Sequence, residues 1–123
     1  TRFLISLSDS VKLIDWAITN CDETHGCIVV PKLPSASIKT LINVISSNLG
    51  SNSLKIVTTG IRPGEKLHEE MVSFEESFRS YCSGDYVIIT DNARKDNADP
   101  LSSESPLMSE EELAEFLTQR GVF

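Results

Sequence analysis

A mixed α/β lobe with short strands is the fold class this sequence predicts, and three observations predict it. Apolar residues recur at helical spacing in two stretches that follow serine or aspartate caps. Between and after them lie short β-branched runs, too sparse for a full doubly wound sheet. Near the end, M-S-E-E-E-L carries a capping box that opens a last helix. A chain of 123 residues fits one domain and can hide about two-thirds of its unfolded surface, so residues 1–123 read as a single part.

The elements follow in order. Ser8 or Asp9 caps a helix running to about Thr19, with Val11, Ile14 and Ile18 on one face and Leu13 and Ala17 beside them. Residues 20–26 are turn-like, and Cys27 to Val30 is a strand. Pro31 and Pro34 then keep the chain extended to Ser35. Ser37 caps a second helix whose stripe of Ile38, Leu41, Ile42, Ile45 and Leu49 reads as core. Gly50 to Ser53 closes it, and Leu54 to Thr58 has the composition of a strand. Phe74 to Phe78 suits a short helix, and Tyr86 to Thr90 a third strand. The polar 91–106 stretch, with two prolines and no periodicity, reads as a flexible loop. Ser109 and Glu112 form the capping box, Met108 staples against Leu113, and Gly121 stops the helix after about Arg120.

Composition excludes several functions. A formal charge of -7 argues against a broad nucleic-acid or anionic-membrane surface, because both need a dense basic stripe. No apolar run approaches the 18 or so residues of a membrane helix. Three cysteines, Cys21, Cys27 and Cys82, fit reduced cytoplasmic thiols better than a disulfide framework. Cys21, His25 and Cys27 crowd together, but zinc needs a fourth ligand, so no metal is expected. Cys82 has no nearby histidine in sequence and makes a poor nucleophile. There is no G-x-G-x-x-G, no G-x-S-x-G and no P-loop. The chain opens directly on T-R-F-L-I-S-L without an initiator Met, which reads as a cut through a larger protein.

One stretch gathers three potential anion-binding groups, Arg62, Lys66 and His68, in G-I-R-P-G-E-K-L-H-E-E-M. Pro63 fixes φ and Gly64 tolerates φ > 0, so Arg62 to Glu65 suits a type II turn that aims Arg62. Lys66 to Glu70 have helix propensity, and a helix starting there would add free backbone N–H groups beside the guanidinium. Such a pairing receives a phosphate or pyrophosphate well. The other reading is a surface turn before a solvated helix, with Lys66 paired to Glu69 or Glu70. On turn chemistry alone the surface turn holds a narrow lead. Glu65, Glu69 and Glu70 read as a charged helix face, and His68 as a hydrogen-bonding residue.

Four stretches carry a family resemblance. G-I-R-P-G-E-K-L-H-E-E-M resembles the signature of the UDP-N-acetylglucosamine 4,6-dehydratases, sugar-nucleotide enzymes of the extended short-chain dehydrogenase/reductase superfamily. T-R-F-L-I-S-L-S-D-S-V resembles the family's T-R-F-W-x-[ST]-L stretch, and I-V-V-P-K-L-P-S its P-K-[IL]-P-S segment. L-S-S-E-S-P-L-M-S-E-E-E-L resembles its final helix start. Together they cover nearly the whole chain in order. P-K-L-P-S and His68 are more similar to the short, C5-inverting soluble type. Two departures stand out: Leu4 replaces a common Trp, and 91–100 aligns to no motif.

The resemblance implies that NADP takes hydride from sugar C4, that the C5 proton and C6 hydroxyl leave as water, and that hydride returns to C6. The product is a UDP-linked 4-keto-6-deoxy sugar that feeds pseudaminic-acid, capsule and other surface-glycan pathways. The family's glycine-rich NADP loop and Tyr-x-x-x-Lys pair precede the T-R-F segment, and neither occurs here. By resemblance, then, the chain is the C-terminal substrate-binding lobe of an extended short-chain dehydrogenase/reductase enzyme, with the Rossmann core largely missing and no catalytic residue of its own. Arg62 is implied to contact the UDP pyrophosphate or ribose, and Arg2 is a second candidate for phosphate contact. Glu65 and His68 support the ribose or its neighbours, and Lys32 lines the nucleotide entrance unless it is a solvated surface lysine. A cytoplasmic homo-oligomer is implied for the whole enzyme. Two alternatives stay open: a UDP-sugar epimerase of the same superfamily, and a non-catalytic nucleotide-sugar-binding module.

Overall fold

The computed structural model describes residues 1–50, 55–104 and 106–123. It is a mixed α/β structure of five helices and seven short strands among the described residues, divided into two compact units. Unit 1 holds residues 1–4, 34–69 and 103–123; unit 2 holds 5–33 and 70–102. The chain passes between the units four times, so neither is a continuous stretch.

Unit 2 is built on an antiparallel sheet of β2 (Ile28–Pro31), β5 (Ser80–Ser83) and β6 (Tyr86–Ile89), in the order β2-β6-β5. The central strand is an unbroken apolar run, Val87, Ile88 and Ile89, and all three are buried. Flanking strands pair with both its edges, so its backbone groups are bonded within the sheet. β5 and β6 are joined by Gly84–Asp85, with Ser83 opposite Tyr86. Gly84 takes φ 58°, which a two-residue type II′ hairpin requires of its first central residue. β4 (Glu70–Val72) pairs with β7 (Leu101–Ser102), and Val72 joins Val30, Val87, Ile89 and Ala98 in the core. The described residues of the 91–106 stretch are thus mostly irregular, but they include β7 and the buried Ala98 and Ser103.

Two helices of unit 2 depart from the sequence reading. α1 (Leu7–Thr19) starts two residues earlier than expected. Ser6, not Ser8 or Asp9, is the cap: its hydroxyl accepts from the Asp9 amide at 3.0 Å and donates to the Asp9 carboxylate at 2.7 Å. Its apolar stripe of Leu7, Val11, Ile14 and Ile18 is exposed, between 58% and 84%, while Leu13, Trp16 and Ala17 are half-buried. Trp16 stacks on Tyr86 at 4.3 Å between ring centroids, which fixes the helix's inner side. α2 (Cys21–Thr24) is a single turn, and α4 (Phe74–Ser77) is capped by a Ser73–Glu76 box that the sequence reading did not identify.

Unit 1 packs α3 (Ile38–Asn48) on α5 (Glu110–Gln119), with β1 (Arg2–Phe3) paired to β3 (Ser35–Ala36). Ser37 caps α3 as expected, accepting from the Thr40 amide at 2.9 Å. The core is Ala36, Val44 and Leu113, joined by Leu41 and Met108. Leu4 packs against the same cluster and fills its place as an aliphatic residue. The α3 stripe is only partly core, since Ile38 and Leu49 are exposed and Val44 is the buried residue. α5 begins with the predicted capping box, Ser109 N–H to Glu112 at 2.8 Å and Glu112 N–H to Ser109 at 3.2 Å. It ends in a Schellman motif: Val122 N–H reaches the Leu117 carbonyl, Gly121 N–H reaches Thr118, and Gly121 takes φ 70°.

The expected strand at Leu54 to Thr58 lies partly outside the described residues. Residues 55–58 are exposed and form no strand, because β-branched composition does not suffice without a neighbouring strand to pair with.

Candidate functional site

The site is assembled in unit 1 from β1, the start of α3 and residues 60–69. The predicted turn is present. Glu65 N–H donates to the Arg62 carbonyl at 3.0 Å, and Gly64 takes φ 82°, as the third residue of a type II turn demands. The Glu65 carboxylate also reaches back to accept the Arg62 N–H at 3.1 Å. These two bonds cinch the turn from both sides, in the manner of a capping box.

No helix follows the turn. Residues 65–69 are irregular and the chain enters β4 at Glu70, so the helix expected over Lys66 to Glu70, with its N-terminal N–H groups, is absent. Strand pairing with β7 and bonding to Ser103 override the local helix propensity. The solvated-helix reading fails on its second count too. Glu69 pairs with Arg2, its Oε1 3.5 Å from Nε, rather than with Lys66. Among the described residues no side-chain partner holds the Arg62 guanidinium or the Lys66 ammonium. These two cations, four residues apart and one of them on a cinched turn, are therefore available to an anion, with the carboxylates of Glu65, Glu69 and Glu70 close by in sequence.

Arg2 is more constrained. Its Nη1 donates to the Thr1 carbonyl at 2.7 Å and, at longer range, to Lys66 and Leu67 at 3.3 and 3.4 Å. Its Nη2 has Glu65 at 3.9 Å, beyond hydrogen-bond length. Arg2 therefore links β1 to the loop that carries Arg62. His68 lies in the same unit, with Nδ1 2.8 Å from the Thr1 hydroxyl and Nε2 3.9 Å from Glu104. Lys32 belongs to unit 2, where it holds the hairpin turn: its ammonium donates to the Gly84 carbonyl at 2.9 Å, and its N–H to Asp85 at 2.9 Å.

A recess of about 190 Å³ is lined by Thr1, Arg2, Ile38, Glu65 and Lys66, together with Gly60, Ile61 and Leu67. Its wall includes residues on both sides of Arg62 in sequence. Small-molecule sites run to about 300–1,000 Å³, so the recess matches a phosphate group better than a whole nucleotide. Ile38 was read from its helical spacing as core alone, yet its exposed side chain forms part of this wall. The only sequence cue was its place at the first position of α3, where an apolar residue is free to face outward. Among the described residues no group of three or more histidine, cysteine or acidic side chains is placed to hold a metal ion, and no helix is long and apolar enough to cross a membrane.

Comparison with known proteins agrees with the resemblance read from the four motifs. The chain is 42% identical over 101 residues to the UDP-N-acetylglucosamine 4,6-dehydratase (inverting) of Campylobacter jejuni subsp. jejuni serotype O:2, a match covering 79% of this chain and 28% of that protein. It is 38% identical over 94 residues to the UDP-glucose 4-epimerase of Rickettsia canadensis, covering 76% of this chain and 27% of that one. The X-ray structure of Pen from Bacillus thuringiensis matches 99% of this chain and 38% of its own, with a TM-score of 0.85 at 26% identity. The chain thus spans little more than a quarter of the curated relatives it matches. Residues 1–91 match the family described as polysaccharide biosynthesis protein, and the chain belongs to that family.

Proposed function

We propose that this chain is the C-terminal, UDP-sugar-binding part of a UDP-N-acetylglucosamine 4,6-dehydratase that makes a UDP-linked 4-keto-6-deoxy sugar for surface glycans in the cytoplasm. The observation that carries the reading is Arg62, unpaired among the described residues, on a turn cinched by Glu65 beside the recess that Arg2 lines. The turn fixes the Arg62 backbone and leaves its guanidinium free to present two parallel donors to a phosphate. Lys66 adds a second charge, and Ile38 and Leu67 supply apolar wall. Each charge-assisted hydrogen bond contributes about 1.5–3 kcal/mol. His68 supports the segment through Thr1, and Lys32 serves the hairpin to which it is bonded.

These residues do not fit a dinucleotide. The six glycines with positive φ sit singly in turns, at Gly26, Gly50, Gly60, Gly64, Gly84 and Gly121, and none opens a helix beneath a strand. Among the described residues no pyrophosphate cradle of the dinucleotide type is therefore formed. In our reading NADP and the reacting groups belong to residues outside it, and this chain's share is to bind and orient the sugar nucleotide. A homo-oligomer is part of the same proposal for the whole enzyme.

Titration of the full-length protein with UDP and UDP-N-acetylglucosamine tests the reading. Arg62→Ala is expected to weaken both by about tenfold to a hundredfold. Equal curves for the two proteins would remove Arg62 from the site. The epimerase relative keeps a second reading in play, in which the same UDP contacts serve inversion at sugar C4. Product analysis separates them: loss of water with a 4-keto product supports the dehydratase, and a C4 epimer of unchanged mass supports the epimerase.

A further inference from the structure

We propose that Glu69 is a positioning residue that aims Arg2 at the phosphate recess, an inference that rests on the anion-binding reading above. Glu69 is the fixed end of an otherwise exposed segment. Its N–H donates to the Ser103 hydroxyl at 2.7 Å, and its carbonyl accepts from the Ser103 N–H at 2.8 Å. Ser103 is fully buried, and its hydroxyl also meets the Thr1 hydroxyl at 2.8 Å. Backbone pinned on both sides leaves the Glu69 side chain a short reach, and it spans β1. One carboxylate oxygen lies 3.5 Å from Arg2 Nε, and the other accepts the Phe3 N–H at 3.4 Å.

The consequence for Arg2 follows from its donor inventory. Arginine has five N–H donors in a rigid fork. Glu69 engages the Nε edge, and backbone carbonyls engage Nη1. Among the described residues, Nη2 has only Glu65, at 3.9 Å. Two donors are thus left without a hydrogen-bond partner among the described residues, on an arginine that lines the recess. A free arginine side chain would lose rotamer entropy on binding, and Glu69 has it pre-ordered. Glu69 acts on the ligand through Arg2, without touching it.

The test is a double-mutant cycle in the full-length protein, read with UDP and with uridine, which lacks the phosphates. Glu69→Ala is expected to weaken UDP binding about fivefold to tenfold while leaving uridine unchanged. In an Arg2→Ala background the same substitution should add nothing. Glu69→Gln, which keeps the reach and one acceptor oxygen, enough for Arg2 or Phe3 but not for both, should recover part of the affinity and guards against a folding artefact. Equal losses with and without Arg2, or an undiminished UDP affinity in Glu69→Ala, would overturn the assignment. The Arg2 Nε–H signal in a nitrogen-labelled sample gives a readout independent of UDP. It should be shifted and protected in the wild type, less so in Glu69→Gln, and lost to exchange in Glu69→Ala. If the wild type fails to bind UDP, the anion-site reading falls. An Arg2 signal indifferent to Glu69 sinks the positioning role instead.

Discussion

The β2-β6-β5 sheet of unit 2 and the 60–69 segment of unit 1 are held by opposite means. The sheet buries a continuous Val87-Ile88-Ile89 strand between two partners, so its position follows from apolar area and register. The segment from Gly60 to His68 is exposed throughout and has no regular structure, so individual bonds place it: the turn with its Glu65 carboxylate, the contacts of Thr1 and Arg2 with residues 66–68, and the serine that holds Glu69 just beyond it. A region held by area tolerates changes to its surface and fails when its centre is hollowed. A region held by individual bonds loses geometry when one partner is removed, with little effect on global stability.

The sharpest way to break the contrast is Ile88→Ala. Ile88 is fully buried, and truncating such a residue costs about 2–5 kcal/mol. Denaturant unfolding of the protein should show the loss in the midpoint with an unchanged slope. A loss under 1 kcal/mol would mean that the sheet is not the stable element its burial indicates.

Legibility in the sequence divides along the same line. The α3 cap at Ser37, the α5 box at Ser109 and Glu112, the stop at Gly121 and the strands around Val30 and Ile88 are local or periodic signals, and they could be read. β5 could not, because Ser80 to Ser83 has no apolar period and is a strand through its pairing with β6. β4 was hidden under helix-forming residues for the same reason. The exposed α1 stripe misled in another way. Periodicity identifies the helix and its apolar face, but cannot say that Leu13, Trp16 and Ala17 form the inner side. In the site, Pro63 and Gly64 announced the turn. The links from Arg2 to Glu65 and Glu69 join residues more than sixty positions apart, and no local pattern encodes them.

A smaller effect is expected at Ser109→Ala, which removes one half of the α5 box. The Glu112 N–H then loses its acceptor at the helix start, and stability should drop by about 0.5–2 kcal/mol. Because α5 packs Leu113 into the core of unit 1, the loss should appear in global unfolding rather than as fraying alone. Amide exchange at the first turn of α5 with an unchanged unfolding midpoint would show that the cap acts only locally.

Acid tests the α4 box. The Ser73 N–H, then the Ser73 hydroxyl, hold the Glu76 carboxyl below its ordinary value of 4.5, against a small opposing effect of burial, and Arg79 assists. A carboxyl with a lowered folded pKa adds stability that is fully present above its unfolded pKa. That contribution is lost as pH falls through the folded value. Glu76→Gln should therefore be less stable than the wild type at neutral pH, and the gap should close below about pH 4.5. A gap that stays constant or widens into acid would show that the carboxylate charge plays no part.

The smallest stability change is expected at Arg62, the residue on which the proposed function rests. Arg62 is exposed, its guanidinium has no partner among the described residues, and only its backbone enters the turn. Arg62→Ala keeps both backbone bonds to Glu65, so the unfolding free energy should change by no more than about 0.5 kcal/mol. The same substitution is expected to cost UDP affinity by an order of magnitude or more. Glu65→Ala makes the complementary case, because it leaves the guanidinium in place and removes the carboxylate that cinches the turn and faces Arg2. If turn geometry matters to the ligand, Glu65→Ala weakens UDP binding with an intact Arg62. If charge alone matters, removing that carboxylate tightens binding instead. The sign of that one change decides whether the segment works as a shaped receptor or as a patch of positive field.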